Sequence, residues 1–252
     1  MRFNIFLSLL VLILLFPFYL SAQSVYPKFD KDSYIEIVKI KGQKPTIIDF
    51  VNHYLHEPED ELTGSLNDMW QSYLAQKPQK EACKILVDVK NGYVKFESVA
   101  DPADKYLSVT EMCYWNCADG KHRLIAFSNN LYIDDKPIEG QYTGISFALY
   151  ENSTRRLQYI PAASVGAAVT TAYDGVTHGF DGDNWFVENN GVRKTMSQQE
   201  YEEYLENRPV LLYKLPQKGK NIIVEIWSPK EVIKKELTWN GLRFKESADM
   251  PK

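Results

Sequence analysis

Asp181, Asp183 and Glu188 lie close together in the stretch YDGVTHGFDGDNWFVENNG (Tyr173–Gly191), with Asp174 upstream and Asn184, Asn189 and Asn190 interspersed. Three chemistries fit such residues. Calcium takes roughly 6–8 oxygen ligands, and Asp-x-Asp supplies two from one turn. Two carboxylates on either side of a sugar could cleave a glycosidic bond. Trp185, beside Asn184 and Asp183, could stack on a sugar ring while the polar groups bind its hydroxyls. The match to a calcium-binding loop is partial. The fifth position from Asp181 is Trp185, the glycine comes second rather than sixth, and the twelfth position is Val192. Asp174-Gly175, Asp181-Gly182 and Asn190-Gly191 also read as turn dipeptides linking short strands such as NWFVEN. The expectation is therefore a turn-rich segment. Asp181, Asp183, Trp185 and Glu188 are its candidate ligand-binding residues; no cofactor is expected, with structural calcium at Asp181 and Asp183 as the alternative.

His53 and His56, in HYLHEPED, are three apart and share a helix face, with Glu57, Glu59 and Asp60 nearby. Such a pair holds zinc only when a third ligand comes from elsewhere, and no His-Glu-x-x-His motif fixes one. The expectation is ordinary half-buried rings and no metal.

Cys83, Cys113 and Cys117 are the only cysteines. In an oxidising compartment one disulfide and one odd thiol are expected. If CYWNC is a strand, Cys113 and Cys117 stand on one face about 13 Å apart, too far to bridge. That leaves Cys83 paired with either Cys113 or Cys117. A redox site wants two residues between its cysteines, not three.

The elements that would position these residues are legible from periodicity. SYIEIVKIKG alternates as a strand. Ile47, Ile48, Phe50, Val51, Tyr54 and Leu55 mark one helix face. After Pro58, Leu62, Leu66, Met69, Trp70, Tyr73 and Leu74 mark a second. CKILVDVKNGYVKFES reads as a hairpin turning at Asn91-Gly92 through a type I′ turn. YLSVTEMCYWNC with KHRLIAFSNN reads as a second hairpin around Ala118-Asp119-Gly120, and GISFALYENSTRRLQYI as a third around Asn152-Ser153. Together these form a meander of about six strands from Cys83 to Ile160. PAASVGAAVTTAYDG has no clear period and reads as a buried strand or a close-packed connector. SQQEYEEYLENR carries a capping box, Ser197 with Glu200. PVLLYKL, KNIIVEIW, IKKELTW and LRFKES follow as four alternating strands. CYWNCADGKHRLIAF and ELTWNGLRF each put a Trp and a turn Gly before a strand, a faint sign of internal duplication.

The fold class expected is α+β, mainly antiparallel sheet, with an N-terminal helical region and one mid-chain helix. The boundaries expected are a leader at 1–22, a strand and helical region at 23–81, a β meander at 82–165, and a second β-rich half at 166–252. These last three could form one continuous domain.

Arg2, an apolar run from Ile5 to Leu20 and the small residues Ser21 and Ala22 read as a signal peptide cleaved before Gln23. The run is short of the ~20 residues a spanning helix needs. No Cys ends it, which argues against lipidation. The chain has 29 basic and 33 acidic residues and a net charge of −4. Losing the leader removes Arg2 and no acid. A mildly acidic surface argues against nucleic acid and anionic lipid as partners.

The SAQ ending resembles the leaders of exported proteins of Gram-negative bacteria. LYKLPQKGKNIIVEIW and ELTWNGLRF resemble exported bacterial domains of unknown function, a resemblance that implies no activity. No Gly-x-Ser-x-Gly, P-loop or dinucleotide fingerprint is present. The function expected is a non-enzymatic binding or accessory module of the periplasm or cell surface, partnered by carbohydrate or another envelope protein. The alternative is a glycan hydrolase using carboxylates around residues 174–188.

Overall fold

The computed structural model describes residues 35–38, 44–56, 60–79, 81–101, 105–140, 142–169, 176–189 and 191–247. The leader, Glu57, Glu59 and Asp174 lie outside them. The fold is α+β and mostly antiparallel sheet, as expected.

The largest sheet has eight strands: β1 (Ile35–Ile37), β2 (Cys83–Asp88), β3 (Tyr93–Asp101), β4 (Tyr106–Asn116), β5 (His122–Ile133), β6 (Lys136–Ile138), β7 (Gly144–Glu151) and β8 (Arg156–Ile160). Their order is β1-β8-β7-β5-β4-β3-β2, with β6 beside β5. The three expected hairpins are present. The first one turns differently from expectation. Its loop runs from Val89 to Gly92, and only Gly92 has positive φ, 68°. Asp88 Oδ1 accepts the Asn91 N–H at 3.1 Å, which holds Asn91 out of the left-handed conformation a type I′ turn requires. Gly92 is needed for a second reason. A Cβ there would stand 2.7 Å from the Tyr114 ring.

Alternation along β4 and β5 sends apolar side chains to both faces, so both faces must be covered. Met112, Ile125 and Phe96 face two helices, α1 (Ile47–Tyr54) and α2 (Glu61–Leu74). Asp49 accepts from both the N–H and the hydroxyl of Thr46 at the start of α1, and Asp60 accepts the Thr63 N–H at the start of α2. Trp70 is fully buried and donates to Asn52 across the two helices. Cys113, Trp115, Leu124 and Ala126 face the other way, onto a four-stranded meander. Its strands are β12 (Val210–Lys214), β13 (Ile222–Trp227), β14 (Val232–Trp239) and β15 (Phe244–Glu246). This core draws side chains from both sides of the 165/166 boundary.

The contact between the two sheets is pinned by buried polar groups. Asn130 accepts the Tyr213 N–H and donates to the Tyr213 carbonyl, acting as one rung of a ladder along the free edge of β12. Glu111 accepts the Leu215 N–H at 2.9 Å and the Tyr93 hydroxyl at 2.5 Å. The two similar sequence stretches meet here. Trp115 and Trp239 both pack on Phe244, and the Ala118 N–H donates to the Gly241 carbonyl.

Between the two halves, residues 162–165 form a 3₁₀ turn, so the unperiodic stretch is a connector rather than a strand over its described part. Gly166, with φ 70°, ends that turn. A Cβ there would meet the Phe244 carbonyl at 2.5 Å. A separate three-stranded sheet follows, β9 (Val176–Phe180), β10 (Trp185–Asn189) and β11 (Val192–Met196), and then helix α3 (Gln198–Asn207). Ser197 and Glu200 form the capping box read from the sequence.

The expected disulfide does not form; all three thiols are free. Cys83 packs on the helix side of the large sheet, whereas Cys113 and Cys117 face the second sheet. Strand β3 also separates β2 from β4, placing them two strand spacings, about 9.5 Å, apart. A bridge needs the Cα atoms within about 7 Å. Period-two alternation along CYWNC was foreseen, but the face on which Cys83 falls was not.

Candidate functional site

The carboxylates singled out in the sequence lie on and beside the three-stranded sheet. Asp181 closes the β9–β10 turn, accepting the N–H groups of Asp183 and Asn184 at 3.2 and 2.9 Å. Those bonds, the Asn184 one first, hold its carboxyl below the usual carboxylate range. Asp183 contributes its backbone to this turn, not its carboxylate. Glu188 and Arg193 are cross-strand partners on one sheet face. The Arg193 guanidinium lies 3.6 Å over the Phe186 ring, 3.5 Å from Asp181 and 4.0 Å from Glu188. An arginine thus stands where a cation bridging Asp181 and Glu188 would be.

Trp185 is on the opposite face. It stacks on Tyr201 of α3 at 4.4 Å and packs against Phe180 at 5.0 Å. The structure brings Asp181 and Glu188 together through Arg193 and does not bring Trp185 to them. Among the described residues, no group of three or more His, Cys, Asp or Glu side chains could hold a metal ion. His53 bonds Glu36 of β1 at 2.8 Å, and His56 is exposed at the end of α1.

A different constellation sits where the three-stranded sheet meets the body. A cleft of about 430 Å³ opens between β7 and β12. Ile145, Leu211, Tyr213, Val169, Ala162 and Ala168 line it, and Glu139 and Arg208 are its charged residues. Local sequence explains the position of Arg208. Pro209 disfavours helical backbone at the residue before it, so Arg208 caps α3 in an extended conformation, ψ 138°. Its side chain lines the cleft, with the guanidinium 6.0 Å over the Tyr204 ring of α3.

The Arg208 side chain is 15% exposed. Its Nη1 donates to Glu139 Oε2 at 3.1 Å and to His178 Nε2. Its Nε is buried and has no hydrogen-bond partner among the described residues. A guanidinium can only donate, so His178 Nε2 must be the lone-pair nitrogen. His178 Nδ1 then carries the proton and donates to the Tyr201 hydroxyl at 2.8 Å. Burial and the neighbouring Arg208 charge both push the His178 pKa down, against a smaller opposing pull from Glu139. Imidazole, not imidazolium, is the form that fits this site.

Sequence reasoning missed Glu139, His178 and Arg208. The only local signal was the Arg-Pro pair ending a capped helix. Other shielded groups serve the fold. Burial raises the pKa of Glu111, but its oxygens are committed to Leu215 and Tyr93. Beneath α1, a hollow of about 30 Å³ has room for about one water.

No protein-family model matches the chain, and no curated protein and no solved structure is significantly similar to it.

Proposed function

We propose that the protein is an exported binding or accessory module of the periplasm or cell surface, and that its ligand seat is the cleft between β7 and β12. One observation carries this reading. The cleft combines a volume within the range of about 300–1,000 Å³ typical of small-ligand sites with mostly apolar walls and a single charged pair. Export rests on the leader read from the sequence. The described residues contain no helix long and apolar enough to cross a membrane.

Filling the cleft tests the reading. Ala168 is exposed and lines the cleft, so Ala168→Trp adds bulk without disturbing the core. Short-chain alcohols and carboxylic acids that raise the melting temperature of the wild type are expected to lose that effect in the variant. The unliganded melting temperature should stay unchanged. An equal ligand-induced rise in both proteins would show that binding occurs elsewhere.

A further inference from the structure

We infer that the ligand class of this cleft is a small carboxylate with an apolar body, with Arg208 as its anchor and Glu139 as the internal group it displaces. The inference rests on the cleft being the ligand seat. Among the described residues lining it, Arg208 is the only basic one, and those other than Arg208 and Glu139 carry no charge. An arginine fork binds a carboxylate best through two parallel N–H bonds. Here the fork is only partly used. Glu139 is held at one nitrogen, Nη1, and Nε is buried with no partner among the described residues, so a carboxylate in the cleft would meet the guanidinium at its Nη end once Glu139 leaves.

Glu139 shows where a carboxylate oxygen sits against this guanidinium. Its side chain is 57% exposed, so it can move into water without leaving a buried charge behind. His178 supplies the other half of the device. Its neutral Nε2 accepts from Nη1 and fixes the guanidinium against the wall, while its Nδ1–H is tied to Tyr201. Protonated His178 would lose that acceptor and place a second positive charge beside Arg208. The groups facing the imidazole are Arg208, Tyr201 and Tyr204 around α3, Glu139 beyond β6, and Lys194 on the same sheet face. A ligand tail would lie along Ile145, Val169 and Leu211.

Hexanoate and hexan-1-ol share a chain and differ in charge. Their affinities, read from the methyl resonances of Ile145, Val169 and Leu211, separate the anion claim from the cleft claim. Hexanoate is expected to bind about tenfold more tightly in the wild type. Arg208→Gln should reduce hexanoate to the level of the alcohol. Glu139→Gln changes an exposed residue and should fold normally. It removes the competing carboxylate, so hexanoate should bind a few-fold more tightly while hexan-1-ol is unchanged. Equal affinities of the two ligands at the cleft methyls would overturn the carboxylate inference and leave the cleft as a ligand seat. Weaker hexanoate binding in Glu139→Gln would overturn it too. No movement of those methyls with either ligand would overturn both claims.

Discussion

The body of the protein and its three-stranded sheet are both antiparallel, yet they are stabilised in different ways. In the body, the large sheet is covered on both faces, and its polar groups clamp the neighbouring sheet by its backbone. In the segment 176–207, Tyr201 alone among the described residues is a buried hydrophobic, while Phe180 is 53% exposed and Val192 73% exposed. That region is held by rings, an arginine over Phe186, and the Arg208–His178 joint. Buried apolar area dominates stability, so the body should unfold as one cooperative unit while the small sheet opens separately. Arg208 links the two, bonding His178 of the small sheet while lining the cleft between β7 and β12 of the body.

A tryptophan in each region gives the widest contrast. Trp70→Ala removes a fully buried ring and should cost about 3–5 kcal/mol of global stability in urea denaturation. Trp185→Ala should cost about 1 kcal/mol or less globally and act mainly by loosening β9–β11. Comparable global losses would erase the distinction.

Glu111 sharpens the description of the body. Glu111→Ala strands the Leu215 N–H and the Tyr93 hydroxyl and should cost on the order of 3 kcal/mol. Glu111→Gln can accept the Leu215 N–H at its amide oxygen and donate its NH2 to the Tyr93 hydroxyl oxygen, and should stay within about 1 kcal/mol of the wild type. The folded-state pKa of Glu111 is raised by burial, so its stabilising contribution is complete below the unfolded value near 4.5 and fades as pH rises through the folded value. The glutamine variant should therefore gain on the wild type as pH increases over that window. A gain toward lower pH would contradict this.

Much of the body was legible in the sequence because periodicity and turn residues are local signals. Met112 and Cys113, or Leu124 and Ile125, alternate because a strand does. The Ser197–Glu200 capping box of α3 was legible for the same reason, since its contacts span three residues. The site was not legible. His178 and Arg208 are 30 residues apart, and nothing near either residue signals the other. The conspicuous acids mostly reflect turn chemistry, as Asp181 shows, with an arginine that sequence spacing could not reveal. The disulfide expectation failed for a similar reason, since which face Cys83 takes depends on the register between strands.

A smaller effect belongs to His178. Its folded pKa is lowered, so its stabilising contribution is present above the unfolded value of 6.5 and is lost as pH falls through the lowered folded value. Amide exchange in β9 and α3 should accelerate across that window, and His178→Gln should flatten the dependence. Acceleration spread evenly over β12–β15 would assign the titration to another group. The smallest effect is expected for the double substitution of Asp181 and Asp183 by Asn. Millimolar calcium should leave the melting temperature of both wild type and variant unchanged. A calcium-dependent rise that disappears in the variant would restore the turn as a cation site.

Native-state hydrogen exchange in low denaturant tests the two-region account most directly. The Tyr213 and Leu215 amides, held by Asn130 and Glu111, should exchange only through global unfolding. The Phe186 and Val187 amides of β10 should exchange through a local opening that is smaller by several kcal/mol and nearly insensitive to denaturant. If the β10 and β12 amides share one opening free energy and one denaturant slope, the small sheet is part of the cooperative core and the account is wrong.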